Sequence, residues 1–278
     1  MTELRTALAP SGAHRRDTSA PRAERAAASP RSPSLARLTW VELRKLTDTR
    51  SGYWLLIIIA LVAAGMVTVV LFTAPDAEQR FANFFALAQI PVGMLLPILG
   101  ILLVTSEFSQ RTVLTTFALV PQRHRVVVAK LAAGTVAALL AALASAAASA
   151  IGTLIAAMTG DGGSWSTDAL ALAGAALFQV INVLLGIGFG LLFLNTPLAV
   201  VLYLLLPTVW SILGEMISRL RKPAEWLDIS ATSAPLMEPP VSGDLAAGQW
   251  ARLGVSVAVW VLVPLVVGTV RVIRREVS

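Results

Sequence analysis

FALAQIPVGMLLPILGILLVT (residues 85–105) is followed, after Ser106, by EFSQRTVLTTFALVPQRHRVVVAK (107–130), and a second long apolar run begins at Leu131. A run of about 20 apolar residues is long enough for a helix to cross the hydrocarbon core of a bilayer. The charged interval between two such runs is long enough to form a structured insert. This alternation decides the fold class, and the same pattern extends in both directions.

Six runs have spanning length: 53–73, 85–105, 131–158, 169–194, 197–216 and 251–270. The chain has 278 residues, 56% of them hydrophobic and only 14% charged, with a mean hydropathy of +0.75. Soluble domains carry about 25% charged residues. The expected fold is therefore an all-α integral membrane protein with six transmembrane helices. The fourth and fifth runs are separated only by Asn195 and Thr196 before Pro197 restarts the pattern. A re-entrant hairpin there is the competing arrangement.

Lys and Arg between the runs set the expected orientation. Arg37, Arg44, Lys45, Arg50, Arg111, Arg123, Arg125, Lys130, Arg271, Arg274 and Arg275 fall on one side. Arg80, Arg219, Arg221, Lys222 and Arg252 fall on the other, so the positive-inside rule places both termini in the cytoplasm. The net charge of +6 is thereby assigned to membrane orientation and not to nucleic-acid binding. Strong use of Arg over Lys suggests a high-GC bacterial sequence, hence the cytoplasmic membrane of a bacterium.

Residues 1–34 are rich in Ala, Ser, Pro and Arg and lack any apolar run, so a disordered cytoplasmic tail is expected, with no cleavable signal. From 35 to 47 the pattern changes to an amphipathic helix that would lie on the membrane surface, with Leu35, Leu38, Leu43 and Leu46 on one side and Arg37, Arg44 and Lys45 opposite. Glu42 falls toward the apolar side, where an unpaired carboxylate is costly. A snorkelling surface position is the simpler expectation, and pairing with Arg50 or a base of the insert is the other. Small residues over 141–152, and Gly186 with Gly190 at GxxxG spacing, favour close helix packing, either within the chain or between two copies. The long stretch 217–249 carries Trp226, Pro235, Pro239 and Pro240, and is expected to fold against the membrane face.

The chemical inventory excludes several classes of function. There are no cysteines, and the two histidines are His14 and His124, so no intramembrane zinc or Ser-His site can be assembled. No catalytic residues and no metal ligands are assigned. No carboxylate or lysine sits at midspan, where a proton- or sodium-coupled transporter needs one. None of the three lysines, Lys45, Lys130 and Lys222, lies in a GxxxxGK[ST] loop, so ATP hydrolysis by this chain alone is not expected. The buried polar residues Gln89, Gln179 and Asn182 are candidates for a substrate path, though bonding between helices is the commoner role.

The insert remains. Val113, Phe117 and Val120 fall on one helical face, Glu107, Gln110 and Arg111 supply polar contacts, and Pro121 ends the helix before Arg123, His124 and Arg125. An ordinary basic surface loop would satisfy the orientation rule equally well. A short transverse helix offered to a soluble partner also accounts for the apolar face.

The arrangement resembles the permease subunits of ABC-2 type transporters. The resemblance rests on Glu42 and Lys45 in the entry helix, then on Glu107, Thr112, Pro121, Arg123 and Lys130 at the spacing of that family. It covers the chain from about residue 35 to the C-terminus. It implies a half-transporter that forms a homodimer or heterodimer and engages a separate ABC ATPase, which would hold ATP and Mg; no cofactor is expected in this chain. The insert would be a cytoplasmic coupling helix, with Glu107, Arg111, Thr112, Val113, Phe117, Pro121 and Arg123 as coupling residues. The last external loop would form short helices dipping toward the membrane. The function expected is export of a hydrophobic or amphipathic substrate. The other readings are a non-transporting scaffold or sensor that docks a cytosolic partner, and a passive channel.

Overall fold

The computed structural model describes residues 34–109, 123–166, 168–237 and 246–274. These residues form helices joined by short connections, with a single isolated bridge between Arg80 and Ser164. Six helices are long and apolar enough to cross a membrane. That is the architecture of a multi-pass membrane protein.

A first helix, α1 (Leu35–Asp48), precedes the spans. Thr49 ends it, donating its backbone N–H to the Lys45 carbonyl, and then caps the next helix by accepting from the Gly52 N–H at 3.3 Å. One residue thus serves both helix ends and fixes the bend between them. The spans follow as α2 (Arg50–Thr73), α3 (Phe81–Ser109), α4 (Arg123–Thr159), α5 (Ala169–Phe193) and α6 (Thr196–Met216). The short helices α7 (Arg221–Leu227) and α8 (Ile229–Ser233) come next. The last span runs as α9 (Ala247–Val257), a π-helical turn (Ala258–Leu262) and α10 (Val263–Arg274). The helices extend past the apolar runs at several ends because hydropathy marks where a helix meets lipid, not where its hydrogen bonding stops.

Helices α3 and α5 form the centre. Phe84, Val92, Leu96, Leu99, Ile101, Val183 and Ile187 are fully buried between them and their neighbours. Gly186 and Gly190 explain the close approach. A Cβ on Gly186 would strike the carbonyl oxygen of Pro97, and one on Gly190 would lie 3.2 Å from the Val104 side chain. The GxxxG pair is therefore an internal contact between α5 and α3. At the periphery, α2 and α6 turn Leu61, Val69, Phe72, Val201 and Leu205 outward. In water such a belt would be a large exposed apolar patch, and in a bilayer it is the expected lipid-facing surface.

Pro91, Pro97 and Pro207 lie inside continuous helices. Pro264 has a more visible effect. It cannot donate to the carbonyl of Trp260, and the preceding turn widens so that the Val263 N–H reaches back to Ala258. The turn between α5 and α6 needs only Leu194, at φ 53°, and Asn195, whose side chain accepts from the Leu198 N–H at 3.0 Å. Arg271 closes the same end by donating to the Leu192 carbonyl at 2.6 Å, satisfying an orphan acceptor at the C-terminus of α5.

At the opposite end Gln79 ties the connectors together. Its amide donates to the carbonyls of Leu71 and Ala74, and its own carbonyl accepts from the Gly163 N–H at 2.7 Å. From that end α7 and α8 descend along the last span. The Trp260 indole, midway along it, donates to the Leu227 carbonyl at 2.6 Å, and Thr232 bonds Ser256 at 2.6 Å. The short helices expected in the long 217–249 stretch are present, and they reach the middle of the bundle.

Candidate functional site

Four charged side chains converge at the end of the bundle where α1 meets α3 and α4. Glu42 is buried because its position on α1 faces the bundle alongside Leu46, also buried. Lys45, one turn later, shares that edge. Glu107 enters from the last turns of α3, and Lys130 from α4, two turns past its start. Lys45 Nζ lies 2.6 Å from Glu42 Oε1 and 2.6 Å from Glu107 Oε1. Lys130 Nζ lies 2.7 Å from Glu42 Oε2 and 3.0 Å from Glu107 Oε1, and it also donates to the Leu103 carbonyl at 2.9 Å.

The cluster is neutral as a whole, with two ammonium groups and two carboxylates. Lys130 directs three donors at three acceptors, the full capacity of its ammonium. Glu42 uses one oxygen for each lysine, and both lysines meet on one oxygen of Glu107. Such pairing is what makes buried charge tolerable, since an isolated ion at this depth would be strongly disfavoured. Lys45 alone is substantially open to solvent. Burial there pulls its pKa down, but the Glu42 carboxylate and the bonds to Glu107 outweigh that effect and hold it above its ordinary 10.5.

This geometry revises the expectation for Glu42. It is not a snorkelling surface carboxylate but a buried one, and its base from the insert is Lys130. The chain is also not free of buried ionisable groups; they are gathered at one edge of the bundle, where water can reach Lys45. Beside them, Thr196 at the start of α6 donates to Thr105 at 2.7 Å, so α6 is tied to the same end of α3.

The remaining sequence candidates separate into three groups. Gln89 and Gln179 meet, with Gln179 Nε2 donating to Gln89 Oε1 at 2.8 Å and to its backbone carbonyl at 3.3 Å. Asn182 does not join them. Its amide donates to Phe178 on its own helix at 2.9 Å, and the residue lines a separate cavity of about 410 Å³ with Tyr203, Thr208 and Ser230. Arg111, Thr112, Val113, Phe117 and Pro121 lie outside the described residues, as does the side chain of Arg123, whose backbone opens α4.

Lys130 is the residue that sequence reasoning undervalued. It entered as a base of the family spacing, of the orientation count and of the insert, with no role of its own, yet it joins α1, α3 and α4. The available signal was Glu42 on an apolar face, for which pairing with a base of the insert was the less simple of the two readings. No protein-family model matches the chain, and no curated protein matches it. The resemblance to ABC-2 type permeases therefore stands on the residues quoted above.

Proposed function

We propose that this chain is the membrane-spanning subunit of an ATP-driven ABC-2 type exporter, with a separate ATPase holding ATP and Mg. The substrate is hydrophobic or amphipathic, and the assembly is a dimer of permease halves in the bacterial cytoplasmic membrane with both termini on the cytoplasmic side. The observation that supports this reading is the Glu42, Lys45, Glu107 and Lys130 cluster. Glu107 stands just before the 110–122 segment and Lys130 shortly after it, and both are held to α1 and to each other. A push on that segment from a partner would load α1, α3 and α4 together, because none can move without separating buried charges.

In this reading Arg111, Thr112, Val113, Phe117, Pro121 and Arg123 contact the ATPase, and Gln89, Gln179 and Asn182 border the substrate path. Glu107 positions the segment and does not touch nucleotide. Co-purification tests the proposal. A tagged chain should bring down a nucleotide-binding ATPase whose activity is vanadate-sensitive. Phe117→Ala should weaken the association, and Glu107→Gln should leave the subunits together with reduced transport per ATP. A chain that recovers a different cytosolic protein and no ATPase is a scaffold or sensor instead.

A further inference from the structure

The small residues over 141–152 do two different things. A Cβ on Gly152 would strike Val67, so α4 and α2 touch there. Nearer to α1 the same two helices stand apart. A cavity of about 320 Å³ lies between them, walled by Ala60 and Ala63 of α2 and by Ala137, Ala141, Ala144 and Ala148 of α4. Leu43, Leu46 and Thr47 of α1 close its other end. Ala60, Leu140 and Ala144 are exposed on its rim, so the mouth opens sideways onto the belt of outward apolar side chains.

Thr47 and Ser145 are the polar side chains on the wall, and both spend their protons on their own helices. Thr47 Oγ1 donates to the Arg44 carbonyl at 2.9 Å and Ser145 Oγ to the Ala141 carbonyl at 3.0 Å. A polar ligand is therefore offered no free donor there, and a hydrocarbon is the fitting occupant. One turn of a helix, about 10 Å across and 5.4 Å long, needs roughly 420 Å³, so a helix of a second copy is too wide for the space. A single hydrocarbon chain is not. Ala137 and Ala148 are 11 residues apart, about 16 Å of helix, which is close to half of the roughly 30 Å hydrocarbon core. The cavity thus spans one leaflet, the one that holds α1.

The edge of α1 beside the cavity supplies a polar end. Arg37, Trp40 and Arg44 follow at i, i+3 and i+7 along the edge next to Leu43 and Thr47. Trp40 is 67% exposed and the Arg44 side chain 72%. Arg44 gives its Nε proton to Asp48 at 3.0 Å, and its two terminal nitrogens meet no acceptor among the described residues. A guanidinium with that free fork fits a phosphate, and an exposed tryptophan at the same level fits the headgroup zone of a bilayer.

We propose that a phospholipid of the leaflet holding α1 binds here, with one acyl chain in the α2–α4 cavity and its phosphate on Arg44. The chain lies against Leu43, Leu46 and Thr47, beside the face of α1 that carries Glu42 and Lys45. The lipid thereby braces the helix that holds half of the charge cluster. The site requires only that the bundle sit in a bilayer and is independent of the exporter reading.

Native mass spectrometry of the full chain tests the site. The chain is stripped of lipid in detergent and titrated with dioleoylphosphatidylglycerol, or with dioleoylglycerol, which has the same chains and no phosphate. Wild type should take up one tight phosphatidylglycerol per chain and hold dioleoylglycerol about fivefold more weakly, the upper end for one exposed ion pair. Arg44→Gln should raise the half-saturating phosphatidylglycerol concentration by about the same fivefold and leave dioleoylglycerol unchanged. Ala144→Phe fills the cavity from α4 and Ala60→Phe fills it from α2, so that one filler remains if the other does not fold. Each should abolish tight uptake of both lipids. Val69→Phe, on the outward belt away from the cavity, should change neither. The absence of a tight adduct on wild type overturns the proposal, and so does an adduct that survives in a folded filler or is lost equally in Val69→Phe. Equal phosphatidylglycerol affinity in wild type and Arg44→Gln overturns the phosphate seat, and with it the assignment to a phospholipid.

Discussion

Lys130 places a full positive charge where almost no water reaches it, and every proton on its ammonium has an acceptor within the protein. Removing one member of a buried charge network is far more damaging than never having had it, because the others are left without compensation. Lys130→Met should therefore destabilise the folded chain by about 3–5 kcal/mol, read as a lowered melting temperature in detergent. A variant within about 0.5 kcal/mol of wild type would show that the cluster carries no strain when opened. Lys45 supports a pH test. Burial lowers its pKa, but Glu42 on α1 and Glu107 on α3 outweigh that and raise it above 10.5, while the other cation of the cluster is Lys130 on α4. The folded state holds that proton more tightly than the unfolded state, so the stabilisation is complete below 10.5 and disappears as pH rises through the higher folded value. The stability gap between wild type and Lys45→Gln should be constant at neutral pH and shrink above about 10.5. A gap that widens in alkali contradicts the pairing.

At the level of helices, packing between α3 and α5 depends on glycines that let backbone meet side chain. Gly186→Leu should cost about 1–3 kcal/mol, since its Cβ has nowhere to go beside Pro97. Gly65 on α2 has no atom of the described residues near the place of a Cβ, so Gly65→Leu should be close to neutral in the same unfolding assay. Similar losses at both sites would mean that helix propensity, not close approach, sets the cost. The six spans were legible because each is a single apolar run, a signal that depends on composition alone. GxxxG spacing also identified a close contact correctly, but periodicity cannot say which helix answers it. Pro264 stands inside the last apolar run, where a helix must lose a hydrogen bond, but the form that loss takes, a π-turn over Ala258–Leu262, is not written in the run itself. The reach of α7 and α8 to Trp260 was not legible either, because one indole bond across 33 residues leaves no local pattern. The charge cluster was half visible: Glu42 on an apolar face offered pairing only as the second of two readings, and the choice of Lys130, 88 residues away, is made by the packing of α1 on α4.

For the molecule as a whole, alternation of six spans puts the charge cluster, the α5–α6 turn and the end of α10 at one end, and the Gln79 clip with the α7–α8 hairpin at the other. The absence of cysteine from the sequence allows a direct orientation test. Ser166→Cys should react with a membrane-impermeant maleimide applied to intact cells, and Ser34→Cys should react only after the membrane is opened. The opposite pattern would invert the orientation and put the 110–122 segment outside, beyond reach of a cytosolic ATPase. The central claim is that energy enters this chain from a separate ATPase through the segment bracketed by Glu107 and Lys130. Affinity purification of the tagged full chain from its native membrane measures this most directly. The account expects a nucleotide-binding ATPase in stoichiometric amount, with vanadate-sensitive hydrolysis and weakened association in Phe117→Ala. An intact, folded chain that carries no ATPase, or one whose ATPase remains equally bound in Phe117→Ala and Arg123→Glu, would contradict it.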